Sequence, residues 1–371
     1  MTIILSLLFI LLAIYKKDSK IISVILLLIL IIMFGWSSQM ADTSIYIDRL
    51  EHYNNKSNMT YNEPLFTLIM KFFNNLGFSF ESFKIFISIF CLLTMYIIIR
   101  KSISNINYVL LLYFIFPFCM DVVQIRYTMA ITFIYIGIFF LLNETKKTKA
   151  LSLYILFNII AGLIHYSTFL YLAIIIPAFL IDYKKCNKYI IIILIIEIAI
   201  ISSASLSQLF GNTMMASKIE RVLRFSSIKY NMGTYIYRGI QIIISLIVYY
   251  YLNRKVNKKF KENKVDENKV EKNNFILNIN KFILIVLPLL MFSVDFYRIQ
   301  TGLLILNYIS FSWYFNKKEI KTKYTININE LSFHLISLIL PVINLYMLVL
   351  NSSNTINVVL VPLFKYNILL S

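Results

Sequence analysis

The chain has 371 residues, of which 59% are hydrophobic, 16% aromatic and only 15% charged, and its mean hydropathy is +0.75. No soluble domain hides that much apolar surface in one core, so the composition excludes a soluble globular protein and predicts an all-α polytopic membrane protein. The net charge of +18 would suggest nucleic acid in a soluble protein; here it reads as a topology signal, and no nucleic-acid partner is expected.

In chain order, apolar runs lie near 2–15, 21–36, 83–99, 107–120, 127–143, 150–164, 166–181, 189–205, 235–252, 282–297, 299–315 and 331–350, with a short final or re-entrant run at 356–370. At about 20 residues per span this predicts about 11 to 13 transmembrane helices in a single membrane domain over 1–371. The first run ends in Lys16-Lys17-Asp18-Ser19-Lys20 with no small-residue cleavage site, and a second run follows at once, so a cleavable signal peptide is not expected. The three cysteines, Cys91, Cys119 and Cys186, show no CxxC spacing and read as small packing residues.

The connectors decide the orientation. Segments 16–20, 100–101, 146–149, 184–188, 253–281 and 317–323 follow every second span and together hold 24 of the 36 cations. By the positive-inside bias they are cytoplasmic, and the alternate connectors, including 37–82, 121–126 and 206–234, face outward. Within 37–82, segment 64–80 sets Pro64, Leu65, Phe66, Leu68, Ile69, Phe72, Phe73 and Leu76 at helical spacing against Lys71, Asn74 and Asn75. That pattern predicts an interfacial helix on the outer face; a short span is the alternative and would reverse the orientation of everything before it. Segment 253–281, rich in Lys, Glu and Asn and lacking apolar periodicity, is expected to be a solvated cytoplasmic loop.

Charge in or beside a span is costly, so residues kept there are candidates for function. Asp121, Arg126, His165, Arg238, Asp295 and Arg298 come from four separate places in the chain and share the predicted outer face. Snorkelling or simple pairing explains any one of them but predicts no shared side. The outer connector 206–234 adds Lys218, Arg221 and Arg224 at i, i+3 and i+6, along one side of a helix. This suits a phosphate or pyrophosphate gripped by guanidinium forks, with attraction to anionic lipid as the plainer reading. His165 closes an apolar run at a membrane boundary, where a histidine is more often a packing residue, although imidazole is also suited to take a hydroxyl proton at neutral pH. The first outer loop offers Asp42, Asp48, Glu51, His52 and Glu63 among Tyr46, Tyr53 and Tyr61, a mixture able to bind sugar hydroxyls and also ordinary for a solvated loop. No HExxH, GxSxG, P-loop, dinucleotide or DxD pattern is present, so neither a metal nor a cofactor is expected.

These residues resemble the EpsG-like branch of bacterial polysaccharide polymerases, related in role to Wzy-type polymerases. The likeness runs in order through Asp42, Tyr46 and Tyr53; Glu63-Pro64-Leu65-Phe66; Leu76-Gly77-Phe78; Asp121 to Arg126 leading into Met129-Ala130; Ala161 to Ser167 around His165; and Asp295-Phe296-Tyr297-Arg298. It implies an enzyme of the bacterial cytoplasmic membrane that joins lipid-linked oligosaccharide repeat units on the outer face. The growing exopolysaccharide, capsule or O-antigen chain would pass from undecaprenyl pyrophosphate to an acceptor sugar hydroxyl. By analogy with related enzymes it also implies a metal-independent fold of the transmembrane glycosyltransferase (GT-C-like) type, with membrane lipid and a chain-length regulator as further partners. On this reading His165, Arg126, Asp121 and Glu63 are the catalytic candidates. Arg298 is the late arginine of the resemblance; Lys218, Arg221, Arg224 and Arg238 join it as pyrophosphate-binding candidates on the charge argument, and Asp48 and Tyr53 are acceptor-binding candidates from the make-up of the first outer loop. A flippase for the same lipid-linked oligosaccharide is the alternative, disfavoured by the near absence of mid-membrane charge apart from Glu197.

Overall fold

The computed structural model describes residues 2–15, 18–51, 63–103, 105–202, 225–262, 267–290, 293–315 and 328–369. Among them the only extended pairing is an isolated bridge between Ser37 and Asn367; the rest of the regular structure is helical. The helices in order are α1 (Thr2–Tyr15), α2 (Lys20–Gly35), α3 (Thr43–Glu51), α4 (Pro64–Asn75), α5 (Phe80–Ser102), α6 (Ile106–Ile115), α7 (Phe118–Val123), α8 (Ile125–Asn143), α9 (Lys147–Ile164), α10 (Leu170–Leu180), α11 (Cys186–Ser202), α12 (Phe225–Glu262) and α13 (Glu267–Phe282). They are followed by α14 (Val286–Leu289), α15 (Tyr297–Thr301), α16 (Leu304–Trp313), α17 (Ile328–Leu345), α18 (Ser353–Thr355) and α19 (Val361–Lys365).

Five helical stretches are long and apolar enough to cross a membrane: Phe80–Ser102, Ile125–Asn143, Lys147–Ile164, Tyr235–Glu262 and Ile328–Leu350. Four shorter apolar helices accompany them, at Thr2–Tyr15, Lys20–Gly35, Ile106–Ile115 and Tyr166–Leu180. Their outward faces are apolar: Leu11 is 66% exposed, Leu28 52% and Leu93 42%, an inversion of the soluble pattern that only lipid satisfies. The chain is an all-α polytopic membrane protein.

The structure divides into two compact units, Met1–Phe169 with Tyr308–Ser371, and Leu170–Asn307. In the first, α2 packs on α5, α5 on α8 and α8 on α9. Small residues set the approach. A Cβ on Gly35 would fall 2.8 Å from Ser88 Oγ, and one on Gly137 2.9 Å from the Tyr154 ring, so glycine lets these helix pairs touch backbone to side chain. Ser23 and Tyr96 share a hydrogen bond of 2.7 Å between α2 and α5. The segment after α19 closes back on the end of α2: Ser38 N donates to Tyr366 O at 2.7 Å, Ile368 N to Trp36 O at 2.9 Å and Asn367 Nδ2 to Ile32 O at 3.1 Å. Lys84 on α5 is buried there, its ammonium donating to Ser37 Oγ at 2.6 Å.

The second unit differs from what the sequence predicts. The described residues of segment 253–281 are helical rather than loop: α12 runs on to Glu262, and α13 returns along α12. At 1.5 Å per residue the 38 residues of α12 extend about 57 Å, nearly twice the hydrocarbon thickness of about 30 Å, so its charged end continues past the bilayer as helix. Residues 225–234, read from sequence as part of an outer loop, are the first turns of the same helix. Buried asparagines hold the pair together. Asn273 Nδ2 donates to Asn253 O at 2.9 Å and to Asn257 Oδ1 at 2.8 Å. Asn280 and Asn307 exchange amide bonds of 2.7 and 3.0 Å, and Asn253 also donates to Asn307 at 2.9 Å. A polar sequence is buried here because its amides satisfy one another.

Candidate active site

Glu63 precedes Pro64, the first residue of α4, where a missing N–H costs nothing. Its carbonyl accepts from Thr67 N at 3.1 Å, while its carboxylate does not cap its own helix and turns to two distant residues. Glu63 Oε2 accepts from Arg126 Nη1, and Oε1 lies 2.5 Å from His165 Nδ1. Arg126 stands on the first turn of α8. Its Nε donates to the Tyr46 hydroxyl at 3.2 Å, and its guanidinium centre lies 5.7 and 6.0 Å from the Tyr46 and Phe66 ring centres. His165 ends α9: its N–H bonds Ala161 O at 2.8 Å, its backbone then turns extended, and its carbonyl accepts from Thr168 Oγ1 at 2.8 Å. Gly162 permits this turn, because a Cβ there would run into the Phe169 ring. Tyr127 meets the imidazole edge to face at 5.8 Å.

Electrostatics fix the protonation pattern. Burial alone would raise the Glu63 carboxyl, but the hydrogen bond with His165 and the charge of Arg126 outweigh it and hold the group below the ordinary carboxylate value. Glu63 is therefore ionised at neutral pH and can only accept. His165 Nδ1 is then the donor in the pair, and Nε2 is the ring nitrogen left to face a ligand. Burial raises the Tyr46 phenol although Arg126 pulls the other way, so Tyr46 stays a neutral acceptor for Arg126 Nε. The cluster is half-buried, with side-chain exposures of 13% for Glu63, 17% for His165 and 25% for Arg126: enclosed enough to strengthen its charges and open enough for a ligand to reach.

Asp121 does not join this cluster among the described contacts. On α7 it accepts from Tyr113 Oη at 2.8 Å, and its backbone carbonyl accepts from Thr128 Oγ1 at 2.7 Å. Burial pushes its carboxyl up to about 7, against the Tyr113 hydrogen bond. In the second unit, Arg238 lies 5.3 Å from the Tyr297 ring centre and donates to Gln241 Oε1 at 3.0 Å. Arg298, next to Tyr297 on α15, pairs with Asp295 at 3.0 Å, so Arg238 and Arg298 share one neighbourhood around Tyr297. Asp48 lies half-buried on α3, two residues from Tyr46. Tyr53, Lys218, Arg221 and Arg224 lie outside the described residues. The part sequence reasoning missed is the pairing role of Tyr46, which it placed among sugar-binding residues, and that of Tyr113. Among the described residues no three of His, Cys, Asp and Glu converge on a metal-sized site.

Fold and cluster thus define a polytopic helical membrane protein with a carboxylate joining an imidazole to a guanidinium. The chain belongs to the EpsG family, whose sequence model matches residues 20–367. Membership gives it a polysaccharide polymerase-type role, that of a glycosyltransferase-like polymerase in polysaccharide biosynthesis. Comparisons with curated proteins and with solved structures returned no match.

Proposed function

We propose that the protein polymerises lipid-linked oligosaccharide repeat units at the outer face of the bacterial cytoplasmic membrane, passing the growing chain from undecaprenyl pyrophosphate to a sugar hydroxyl of the next unit. The observation that carries this reading is Glu63 bonding Arg126 and His165 at once. His165 Nε2 takes the proton of the acceptor hydroxyl as its oxygen bonds the anomeric carbon. The bond from that carbon to the pyrophosphate oxygen breaks, and its electron pair leaves with the carrier. Glu63 stabilises the imidazolium that forms, as a carboxylate orienting a base does elsewhere. Proton transfer of this kind contributes about 10²–10⁴-fold in rate.

Arg126 keeps N–H donors beyond those spent on Glu63 and Tyr46, and these meet the charge that grows on the leaving pyrophosphate. Guanidinium groups can fill that role without a metal. Lys218, Arg221, Arg224, Arg238 and Arg298 are the further cations proposed to hold the carrier pyrophosphate, and Asp48 and Tyr53 to meet the acceptor. The fold type proposed to carry this chemistry is the GT-C-like one, and a chain-length regulator is the proposed protein partner. The test is reconstitution of the full chain in liposomes with purified lipid-linked repeat units. Formation of polymer, with one carrier pyrophosphate released per glycosidic bond, is the expected result. Movement of the lipid-linked units between leaflets with no bond formed would replace this reading with a flippase.

A further inference from the structure

The second unit holds a cationic cluster that the proposed chemistry does not use. Tyr183 sits in the turn between α10 and α11, closed by Lys185 N and Cys186 N bonding Asp182 O at 2.9 and 3.2 Å. Lys281, near the end of α13, lies 3.7 Å above the Tyr183 ring and donates to the Tyr183 carbonyl at 3.3 Å. The Tyr183 hydroxyl donates to that of Tyr250 at 3.2 Å. One turn further along α12, the Arg254 guanidinium lies 5.4 Å from the Tyr250 ring centre. The α10–α11 turn, the end of α13 and an interior turn of α12 thus bring two cations and two phenols together, beside the connectors 184–188 and 253–281 that the cation alternation assigns to the cytoplasm.

The arrangement costs free energy as it stands. Burial lowers the Lys281 ammonium, and Arg254 lowers it further by like-charge repulsion. Among the described residues neither cation makes an ion pair with a carboxylate. A cation needed only for topology would extend into water, as Lys258 does at 79% side-chain exposure; Lys281 is instead folded onto a ring and a carbonyl. Two unneutralised cations beside two hydroxyls and aromatic walls match a tetrahedral anion with several acceptor oxygens.

We infer that Tyr183, Tyr250, Arg254 and Lys281 form a binding site for a phosphoryl group, independent of the Glu63 cluster. Lys281 supplies a point charge, Arg254 a fork that swings in from its exposed position, and Tyr250 a hydroxyl, while the Tyr183 ring backs Lys281. Basic pockets between helices at a cytoplasmic boundary take phosphate-bearing lipid headgroups, and the same donors accept a soluble phosphate ester.

The experiment is native mass spectrometry of the full chain with equimolar phosphatidylglycerol and phosphatidylcholine, with inorganic phosphate as competitor and thermal unfolding in phosphate as a second readout. The parent is expected to retain phosphatidylglycerol preferentially. Lys281→Gln and Arg254→Gln should each cut the retained lipid about tenfold, the worth of one charge-assisted hydrogen bond. Tyr250→Phe should cut it less, and Lys258→Gln should leave it unchanged. Arg254 is exposed, so its substitution tests the site even where Lys281→Gln fails to fold. Lipid that persists under phosphate assigns the site to a headgroup. Displacement by phosphate, or a phosphate-dependent rise in the thermal midpoint confined to the parent and Lys258→Gln, assigns it to soluble phosphoryl compounds. Equal lipid retention in all variants with no phosphate-dependent rise overturns the site.

Discussion

Glu63 and His165 are 102 positions apart, and Glu63 Oε1 lies 2.5 Å from His165 Nδ1. One residue from the start of α4 and one from the end of α9 thus make a carboxylate–imidazole pair, with Arg126 on the other carboxylate oxygen. Glu63→Gln removes the charge and puts an amide where an acceptor is needed. Polymerisation from purified lipid-linked units should fall at least about 100-fold, the lower end of what a positioned base contributes, with the protein at normal level in the membrane. Parent-like chain length would mean that the pair only packs α4 on α9.

Arg126→Lys keeps the charge and loses the fork. A single ammonium cannot serve the Tyr46 hydroxyl, Glu63 and a pyrophosphate from the positions that Nε and the two terminal nitrogens hold, so the variant should make no long polymer while inserting normally. Gel analysis of polymer length beside membrane immunoblots decides it, and retained long chains would exclude Arg126 from the reaction.

Asp121 makes stability depend on pH in a definite direction. Its carboxyl is raised in the fold, from 3.8 to about 7, so the folded state holds the proton more tightly than the unfolded one. Stability therefore declines as pH rises from 3.8 through about 7 and levels off above that. At about 1.4 kcal/mol per tenfold in proton affinity, the decline is on the order of 4 kcal/mol. Asp121→Asn, which still accepts from Tyr113, should flatten it. The measurement is the thermal midpoint of both proteins in detergent from pH 4 to about 8, and parallel curves would contradict the assignment.

Gly162→Ala drives a methyl into the Phe169 ring beside the turn that presents His165. Overpacking of this kind costs about 1–3 kcal/mol. The variant should lose thermal stability and, through a displaced imidazole, activity; Phe169→Leu in the same chain should recover both. Failure of the double variant to recover would place the strain elsewhere in the turn.

Orientation is open to direct labelling. With thiols placed at Ser217 and Asn268, a membrane-impermeant maleimide on intact cells should modify the first and not the second. The opposite pattern would reverse the membrane face of every connector.

The sequence pointed to Arg126 and His165 because charged and titratable groups at span ends are costly to keep, and to Glu63 as one carboxylate of a polar outer loop within the Glu63-Pro64-Leu65-Phe66 match to the family. Their mutual pairing was not visible, since it depends on α3, α4, α8 and α9 meeting in space, and the Tyr46 contact has no signature of its own in the chain. The α12–α13 hairpin was hidden for a different reason. Asn253, Asn257, Asn273 and Asn280 read as solvated side chains until each is seen to bond another amide or a carbonyl, and only the packed structure separates a polar residue that wants water from one that replaces it. Runs such as 282–297 and 299–315 were legible as apolar but not as broken. Short helical pieces, Val286–Leu289 and Tyr297–Thr301, replace one span with several, because local turns around Pro288 and Gly302 interrupt a hydropathy pattern that has no feature at those points.

The closure of residues 366–368 onto the end of α2 sets a timetable for synthesis. Ile32 and Trp36 leave the ribosome more than 300 residues before Asn367 and Ile368, which bond their carbonyls. In the interval the Trp36 carbonyl must be met by water at the bilayer edge or by the insertion machinery, while Ile32 O keeps its bond from Trp36 N. A chain stopped anywhere between α3 and α19 therefore leaves the end of α2 without the partners that residues 366–368 supply.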